Sequence, residues 1–160
     1  MNKAYLLTGG NLGNREQNLS QARDLISRHC GRLVRVSAIY ETAAWGKTDQ
    51  PAFLNQVLAL ETTLAPRELL AALLAIEAEI GRVRSEKYAP RLIDIDILLF
   101  NDLHYHDEQL DIPHPRLPQR RFVLTPLAEI AGEQLHPVLH RTIRQLLDAC
   151  EDPLPVVKLH

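Results

Sequence analysis

The sequence predicts an α+β fold with a ferredoxin-like β-α-β-β-α-β core, a mostly antiparallel sheet and helices packed on it. Two observations carry this prediction. Apolar runs of strand length alternate with two segments of helical periodicity, and 160 residues suit one domain. The chain is 46% hydrophobic and 24% charged, close to an ordinary globular average. We therefore expect one domain over residues 1–160, with a helical extension at its C-terminal end.

The first half of the predicted core is a strand, a helix and a second strand. An apolar run at Ala4–Thr8 ends in glycines, which is typical of a strand that enters a tight loop. Asn14 can cap a helix whose apolar residues recur at helical spacing until Gly31. The alternating segment Leu33–Tyr40 predicts the second strand, and the polar residues of segment 41–52 predict a loop.

The second half of the core repeats this order. Leu54–Leu64 predicts a long strand, and a strongly periodic helix runs from Pro66, which suits a first helical turn, to Gly81. Ile93–Phe100 predicts the last core strand. The elements expected beyond it are a short hairpin segment and two helices, at Leu103–His106, Phe122–Ile130 and Thr142–Cys150.

Charge and segment lengths limit the partners and the compartment. The formal net charge is -2, whereas a general nucleic-acid coat is strongly basic. No apolar run approaches the roughly 18 residues of a membrane span, and the N-terminus resembles a strand rather than a signal peptide. Cys30 and Cys150 lack metal or redox spacing, which favours idle thiols in a reducing compartment. We expect a cytoplasmic monomer that binds neither nucleic acid nor a membrane.

Two aspartates in the last core strand are the strongest sign of chemistry. Asp94 and Asp96 would share one face of the strand, about 7 Å apart, while Ile93, Ile95 and Ile97 face the core. Carboxylates in an apolar strand are unfavourable unless something compensates them. Mg²⁺ does so, because it takes one or two carboxylates together with phosphates and water. The alternative is an amphipathic strand with one solvated face.

A basic loop lies just upstream of these aspartates. Arg82, Arg84, Lys87 and Arg91 fall within a segment whose glycine and proline predict a loop. Guanidinium groups bind phosphate oxygens in a planar fork, and a cationic loop can close over a nucleotide. A basic loop alone is often only solvated. Combined with the aspartates, it predicts a polyphosphate site.

Aromatic and amide side chains indicate a pocket for a planar ring. Trp45 lies in a glycine-containing loop, with Phe53 and Asn55 nearby, and heterocycles are commonly held by stacking and amide hydrogen bonds. His114 lies between two prolines and precedes three arginines, so it could reach a phosphate. Gly9–Gly13 lacks the lysine of a P-loop and is better explained as a strand-to-helix turn. The remaining histidines lack a third ligand at motif spacing, which argues against zinc.

Together these motifs resemble the 6-hydroxymethyl-7,8-dihydropterin pyrophosphokinase family of folate biosynthesis. The similarity runs from about residue 4 to residue 148. The matching segments are GGNLGN at 9–14, VSAIYET at 36–42, GKTDQPAFLNQV at 46–57, GRVRSEKYAPRLIDIDILLF at 81–100 and IPHPRLPQRRFVLTPLAEIA at 112–131. The resemblance implies a single pyrophosphokinase domain that transfers pyrophosphate from ATP to the hydroxymethyl oxygen of the reduced pterin and releases AMP. It also implies ATP as co-substrate and two Mg²⁺ ions.

The resemblance implies a role for each candidate residue. Asp94 and Asp96 would hold the metal, and Arg82 and Arg91 would be catalytic, contacting the phosphates in the transition state. The residues implied to bind ATP are Glu77, Arg84, Ile97, His114 and Arg120. The residues implied to build the pterin pocket are Thr42, Trp45, Phe53, Asn55 and Phe122.

Four residues depart from the family pattern. Gly10 stands where the family usually has serine, Tyr88-Ala89 stand where it usually has tryptophan-glycine, and Ala44 stands where proline is common. The departures at Gly10, Tyr88 and Ala89 support one alternative, a non-catalytic paralogue that binds pterin or nucleotide. The other alternative is a D-x-D, Mg-ATP-dependent transferase with a different acceptor.

Overall fold

The computed structural model describes residues 1–43, 51–81 and 92–159. Six strands form one sheet in the order β5-β1-β4-β3-β8, with β2 also paired to β4, and β6 and β7 form a separate hairpin. The elements, in chain order, are β1 (Asn2–Gly10), α1 (Arg15–His29), β2 (Arg32–Val36), β3 (Tyr40–Thr42), β4 (Phe53–Thr62), α2 (Pro66–Ile80), β5 (Asp94–Phe100), β6 (Tyr105–His106), β7 (Asp111–Ile112), a 3-10 turn (Leu117–Gln119), α3 (Arg121–Ala131), α4 (Ile143–Asp148) and β8 (Val157–Lys158).

The sheet is antiparallel, and it confirms the predicted mixed class of strands and helices. The apolar β1 lies between β4 and β5 and is antiparallel to both. Its neighbour β4 also pairs antiparallel with β2 and β3. Because antiparallel neighbours run in opposite directions, the end of β1 meets the beginnings of β4 and β5 at one edge of the sheet.

Helices cover both faces of the sheet. Successive side chains of a strand point to opposite faces, so Leu6 packs in the core under α1 and α2, whereas Leu7 packs in the core under α3 and α4. Ile93, Ile95 and Ile97 join the α1–α2 core, as predicted. Burial of one such large side chain stabilises the fold by roughly 1.5–3 kcal/mol, which holds β5 with its other face toward α3.

The second predicted strand is divided, which corrects the sequence prediction. One strand was expected over Leu33–Tyr40, but β2 ends at Val36 and β3 begins at Tyr40. Between them the N–H of Ala38 donates to the Glu129 carboxylate on α3, at 3.1 Å. This contact uses an N–H that a continuous strand would donate within the ladder, and it joins residues 91 positions apart, so no local pattern signals it.

Local signals located the helix ends well. Asn14 caps α1, because its side-chain oxygen accepts the N–H of Gln17 at 3.1 Å. Gly81 ends α2 at φ 105, a left-handed conformation that glycine adopts without strain. In contrast, the predicted helix over Thr142–Cys150 is the shorter α4, with Thr142 as its cap.

The chain beyond β5 differs more from the sequence predictions. The segment Leu103–His106 forms a hairpin only at its end, where β6 pairs with β7. The last residues, which carried no sequence signal, include β8, which pairs with β3 and extends the sheet. Among the described residues, no helix combines the length and apolar character needed to cross a membrane.

Candidate active site

A cavity of about 420 Å³ lies at the sheet edge where β1 ends and β4 and β5 begin. This volume falls within the range of small-molecule sites. Strands form its floor. The segment just before α3, the first turn of α3 and the C-terminal residues form its walls. The lining residues are Leu7, Gly9, Thr42, Ala43, Phe53, Asn55, Asp94, Asp96, Arg116, Gln119, Arg120, Phe122, Asp152 and Leu154.

Strand register explains why distant residues meet at this cavity. Gly9 of β1 pairs with Asn55 of β4 on one side and with Asp94 of β5 on the other. Neighbouring strands are about 4.8 Å apart, so Asn55 and Asp94 are separated by about 10 Å across Gly9. The amide and the carboxylates therefore stand at two ends of one site.

The two aspartates form the acidic end. Asp94 is half-buried and Asp96 is exposed, and both line the cavity, while the intervening Ile95 is buried on the opposite face. Oxygen donors on one strand face suit a hard cation such as Mg²⁺. In residues 1–43, 51–81 and 92–159, no group of three or more His, Cys, Asp or Glu side chains could hold a metal. A cation held here would complete its coordination with phosphate oxygens and water.

A cationic wall stands beside the aspartates. Arg120 and Arg116 both line the cavity, and the Arg120 guanidinium lies over the Phe122 ring at 5.6 Å from its centroid. Burial and the nearby Arg116 lower the pKa of Arg120, while Asp96 and Asp152 oppose that shift. Because two like charges are held together here, an anion between them would be favourable.

His114 is next to the cationic wall in the chain, but it does not line the same cavity. Its ring lines a second cavity of about 410 Å³, and its Nδ1 accepts the N–H of Arg116 at 3.2 Å. Burial lowers the pKa of His114, and the charges of Arg120 and Arg116 lower it further. The structure thus brings His114 next to the cationic wall through the backbone of Arg116.

Four of the five residues implied to build a pterin pocket come together. Thr42 pairs with Phe53 at the junction of β3 and β4, and Phe122 lies in the first turn of α3. Asn55 is only 4% exposed, and within the described part of the chain its Oδ1 atom has no hydrogen-bond partner. An unsatisfied buried acceptor is unfavourable by about 1–3 kcal/mol, so a hydrogen bond from a ligand N–H to Asn55 Oδ1 would be favourable.

Glu77 and Ile97 lie on the other side of β5, and neither side chain lines the cavity. Glu77 is 5% exposed, and its Oε2 accepts the N–H of Ile95 at 2.7 Å. Ile97 packs in the α1–α2 core. Glu77 therefore holds β5 between its two aspartates, and a contact of Glu77 or Ile97 with ATP stays a prediction.

Several site predictions fall in segments 44–50 and 82–91, outside the described residues. They concern one residue predicted to bind the pterin, Trp45, and three arginines predicted to bind phosphate, Arg82, Arg84 and Arg91. The departures Ala44, Tyr88 and Ala89 lie there too.

The sequence places Arg116 among the arginines that follow His114 but predicts no role in the site for it or for Gln119. Arg116 and Gln119 fall in the proline-rich segment before α3, and the H-P-R sequence at 114–116 was the available signal for Arg116. Asp152 and Leu154 follow the last helix and carried no signal, because only the return of the chain across α3 brings them to the cavity.

Fold and site together define a class of protein. Two strand carboxylates face a cationic wall, beside a pocket with an amide and aromatic rings. This arrangement suits an enzyme that transfers phosphoryl groups to a small cyclic acceptor. The family model for 7,8-dihydro-6-hydroxymethylpterin-pyrophosphokinase (HPPK) matches residues 5–132. The chain belongs to this family, which confirms the resemblance found in the sequence. It is therefore a pyrophosphokinase of folate biosynthesis, a transferase of phosphorus-containing groups.

Individual relatives agree with the family. The chain is 48% identical over 133 residues to the 2-amino-4-hydroxy-6-hydroxymethyldihydropteridine pyrophosphokinase of Bacillus subtilis (strain 168), covering 82% of this chain and 80% of that protein. It is 43% identical over 148 residues to the enzyme of the same name from Methylorubrum extorquens, covering 92% of each. The crystal structure of Plasmodium falciparum HPPK-DHPS with SDX-DHP superposes with a TM-score of 0.76 at 20% identity. That match covers 93% of this chain and 43% of the other, and it shows a shared fold.

Proposed function

We propose that the chain transfers the pyrophosphoryl group of ATP to the hydroxymethyl oxygen of 6-hydroxymethyl-7,8-dihydropterin and releases AMP. The observation that carries the proposal is the juxtaposition in one cavity of the Asp94 and Asp96 carboxylates with the unsatisfied amide oxygen of Asn55. One end suits metal and phosphate, and the other suits a ring that carries N–H donors. Family membership supplies the reaction that joins them.

The pterin would bind at the Asn55 end. Its ring N–H groups would donate to Asn55 Oδ1, and the Phe53 and Phe122 rings would cover its apolar faces. Thr42 is buried at the same end of the cavity and would complete that wall. Trp45, implied by the resemblance, is proposed as a further pterin contact. A few placed polar groups among apolar walls fix the orientation of such a ligand.

The triphosphate would lie along the aspartates and the cationic wall. Arg120, which the resemblance implies, and Arg116, which it does not, would neutralise phosphate charge. We also propose ATP contacts for His114, Glu77 and Ile97. The resemblance adds three arginines to the phosphate site, Arg84 as an ATP ligand and Arg82 and Arg91 as catalytic groups.

Asp94 and Asp96 would hold Mg²⁺, for which we propose two ions. Bound there, Mg²⁺ neutralises triphosphate charge and lowers the pKa of a coordinated hydroxyl. The chain itself supplies position: it holds the pterin at one end and the phosphates at the other, so that the hydroxymethyl oxygen faces the β-phosphorus. As that oxygen–phosphorus bond forms, the hydroxyl proton is released to solvent. The bond between the β-phosphorus and the oxygen that bridges it to the α-phosphate breaks, and AMP leaves with that oxygen. Positioning and electrostatics are the main contributions in such transfers.

An assay with product mass as its readout tests the proposal. The purified chain is incubated with ATP, Mg²⁺ and the reduced hydroxymethyl pterin, and AMP and the pterin product are measured. We expect equal amounts of AMP and pterin diphosphate, and no AMP without the pterin. Binding of both substrates without turnover would identify a non-catalytic paralogue. Turnover with another acceptor only would identify a different transferase.

We further propose a ferredoxin-like core. Its support is the element order, with β2 and β3 together in the place of the second strand, and the antiparallel neighbours β5-β1-β4-β2. The single domain over residues 1–160, the cytoplasmic location and the monomeric state stay predictions.

A further inference from the structure

The last residues of the chain bridge two elements of the cavity. We call Cys150–Leu159 the C-terminal segment. At its beginning Arg121, the first residue of α3, donates from Nη2 to the Cys150 carbonyl at 2.8 Å and from Nε to the Asp152 carbonyl at 3.1 Å. At its end β8 pairs with β3, and the N–H of Leu159 donates to the Ile39 carbonyl at 2.8 Å. The segment is thus anchored on α3 and on β3.

Asp152 joins the segment to α3 and shapes it. Its Oδ2 accepts the backbone N–H of Arg121 at 3.1 Å, which satisfies a free donor at the start of α3. Its Oδ1 accepts the N–H of Leu154 at 3.0 Å, which turns the backbone locally. One carboxylate therefore holds both the first turn of α3 and the position of Leu154.

Leu154 lies between residues already placed at the pterin end. It is half-buried and lines the cavity together with Phe122 of α3 and Thr42 of β3. The Thr42 hydroxyl donates to the carbonyl of Pro155, the next residue, at 3.4 Å. Both anchors of the C-terminal segment therefore carry a proposed pterin contact, and Leu154 closes the gap between them.

We propose that the C-terminal segment is a wall of the pterin pocket, with Leu154 as an apolar contact to the pterin and Asp152 as a positioning residue. This inference rests on the proposed function and deepens it. Leu154 offers only carbon atoms, which suit the ring system of the pterin and not the triphosphate. The C-terminal segment thus contributes to the specificity for the acceptor, the pterin, whereas Asp94 and Asp96 of β5 act on the donor, ATP.

The first experiment compares Leu154→Ala with Leu154→Met in steady-state kinetics. Removal of the apolar contact should raise the KM for the pterin roughly tenfold and leave the KM for ATP within about twofold, since one or a few methylenes change binding by about 10- to 200-fold. Leu154→Met keeps the apolar volume, so the pterin KM should rise less than in Leu154→Ala. Calorimetric titration of the pterin should show the same weakening as the KM.

The outcomes separate this inference from the proposed function. Absence of wild-type turnover would reject the proposed function itself. If the wild type turns over and Leu154→Ala has an unchanged pterin KM, Leu154 is not a pterin contact. That result would overturn this inference and would not affect the proposed function. An equal rise of both KM values would also overturn it, because a general loosening of the fold would act on both substrates.

Asp152 is tested by graded variants. Asp152→Ala removes both acceptors, whereas Asp152→Asn keeps one oxygen, so the pterin KM should rise in the order wild type, Asn, Ala, with kcat little changed. Glu151→Ala, at an exposed neighbouring position, is the matched control and should behave as wild type. A loss of kcat at unchanged pterin KM, or no effect of Asp152→Ala in a folded protein, would contradict the positioning role.

Discussion

Gly9 of β1 lies directly opposite Asn55 of β4, and a Cβ atom on Gly9 would come closer than 3.0 Å to Asn55 Nδ2. Asn55 can hold its amide over β1 only because residue 9 has no side chain. The glycine at the end of the first strand is thus a steric requirement of the pocket. The sequence pattern had indicated a turn from Gly9 onward, whereas Gly9 and Gly10 are the last residues of β1.

Gly9→Ala should displace the Asn55 amide and weaken pterin binding. We expect the pterin Kd to rise about tenfold or more, because a hydrogen-bonding group moves out of place and each tenfold is about 1.4 kcal/mol. Calorimetric titration measures the change. In an Asn55→Ala background the same substitution should have little further effect. An equal effect in both backgrounds would contradict the steric link.

Asn55→Ala should weaken pterin binding while ATP-analogue binding is unchanged. Loss of the amide removes the acceptor whose oxygen is unsatisfied in the described chain, and a buried ligand hydrogen bond contributes about 1–3 kcal/mol. The expected loss of pterin affinity is therefore about 10- to 100-fold. Equal loss of both ligands, measured by titration, would mean that the cavity itself had collapsed.

Asp94→Asn and Asp96→Asn should each lower kcat about 100-fold or more and raise the Mg²⁺ concentration needed for half-maximal rate. The amide removes negative charge from the proposed metal site while keeping the shape of the side chain. Asp102→Asn, at an exposed turn after β5, is the control and should keep normal activity. Normal Mg²⁺ dependence in both site variants would show that these carboxylates do not hold the metal.

Glu77→Ala should destabilise the fold. The substitution leaves the N–H of Ile95 without its 2.7 Å acceptor, which lowers the free energy of unfolding by about 1–3 kcal/mol. For a chain of this size that corresponds to a Tm lower by roughly 3–10 °C. Glu77→Gln keeps an acceptor oxygen and should lose less. Thermal unfolding of the two variants, followed by circular dichroism, gives the comparison, and equal losses would argue against the hydrogen bond.

Tyr40 should make stability depend on alkaline pH. Burial and the 2.6 Å hydrogen bond to Glu129 raise the pKa of Tyr40 from 10.0 to about 12. Because the folded pKa lies above the unfolded one, the stabilisation is complete below pH 10 and is lost as the pH rises to about 12. Urea unfolding should therefore show a steeper decline above pH 10 for the wild type than for Tyr40→Phe. If the free energy of unfolding falls equally with pH in both proteins, Tyr40 is not the cause of the alkaline destabilisation.

Hydrophobic periodicity and the positions of glycine and proline were sufficient to predict the elements whose main interactions are local in sequence. The helix from Pro66 to Ile80 needs one apolar stripe and a glycine at its end, and both are local. The faces of Asp94 and Asp96 follow from strand alternation alone. The motifs of β5 and the basic loop were specific enough to indicate the family.

From the sequence alone follow the helices and most strands of the core, the mixed class of the fold and the shared strand face of Asp94 and Asp96. Tertiary structure decided the break between β2 and β3, where Glu129 of α3 binds Ala38, and the place of Asp152 and Leu154 at the cavity. It also decided that Gly9 makes room for Asn55. The physical reason is that periodicity shows only which face of its own helix or strand a residue occupies. Partners such as Glu129 and Ala38, 91 positions apart, meet only when the sheet and the helices pack.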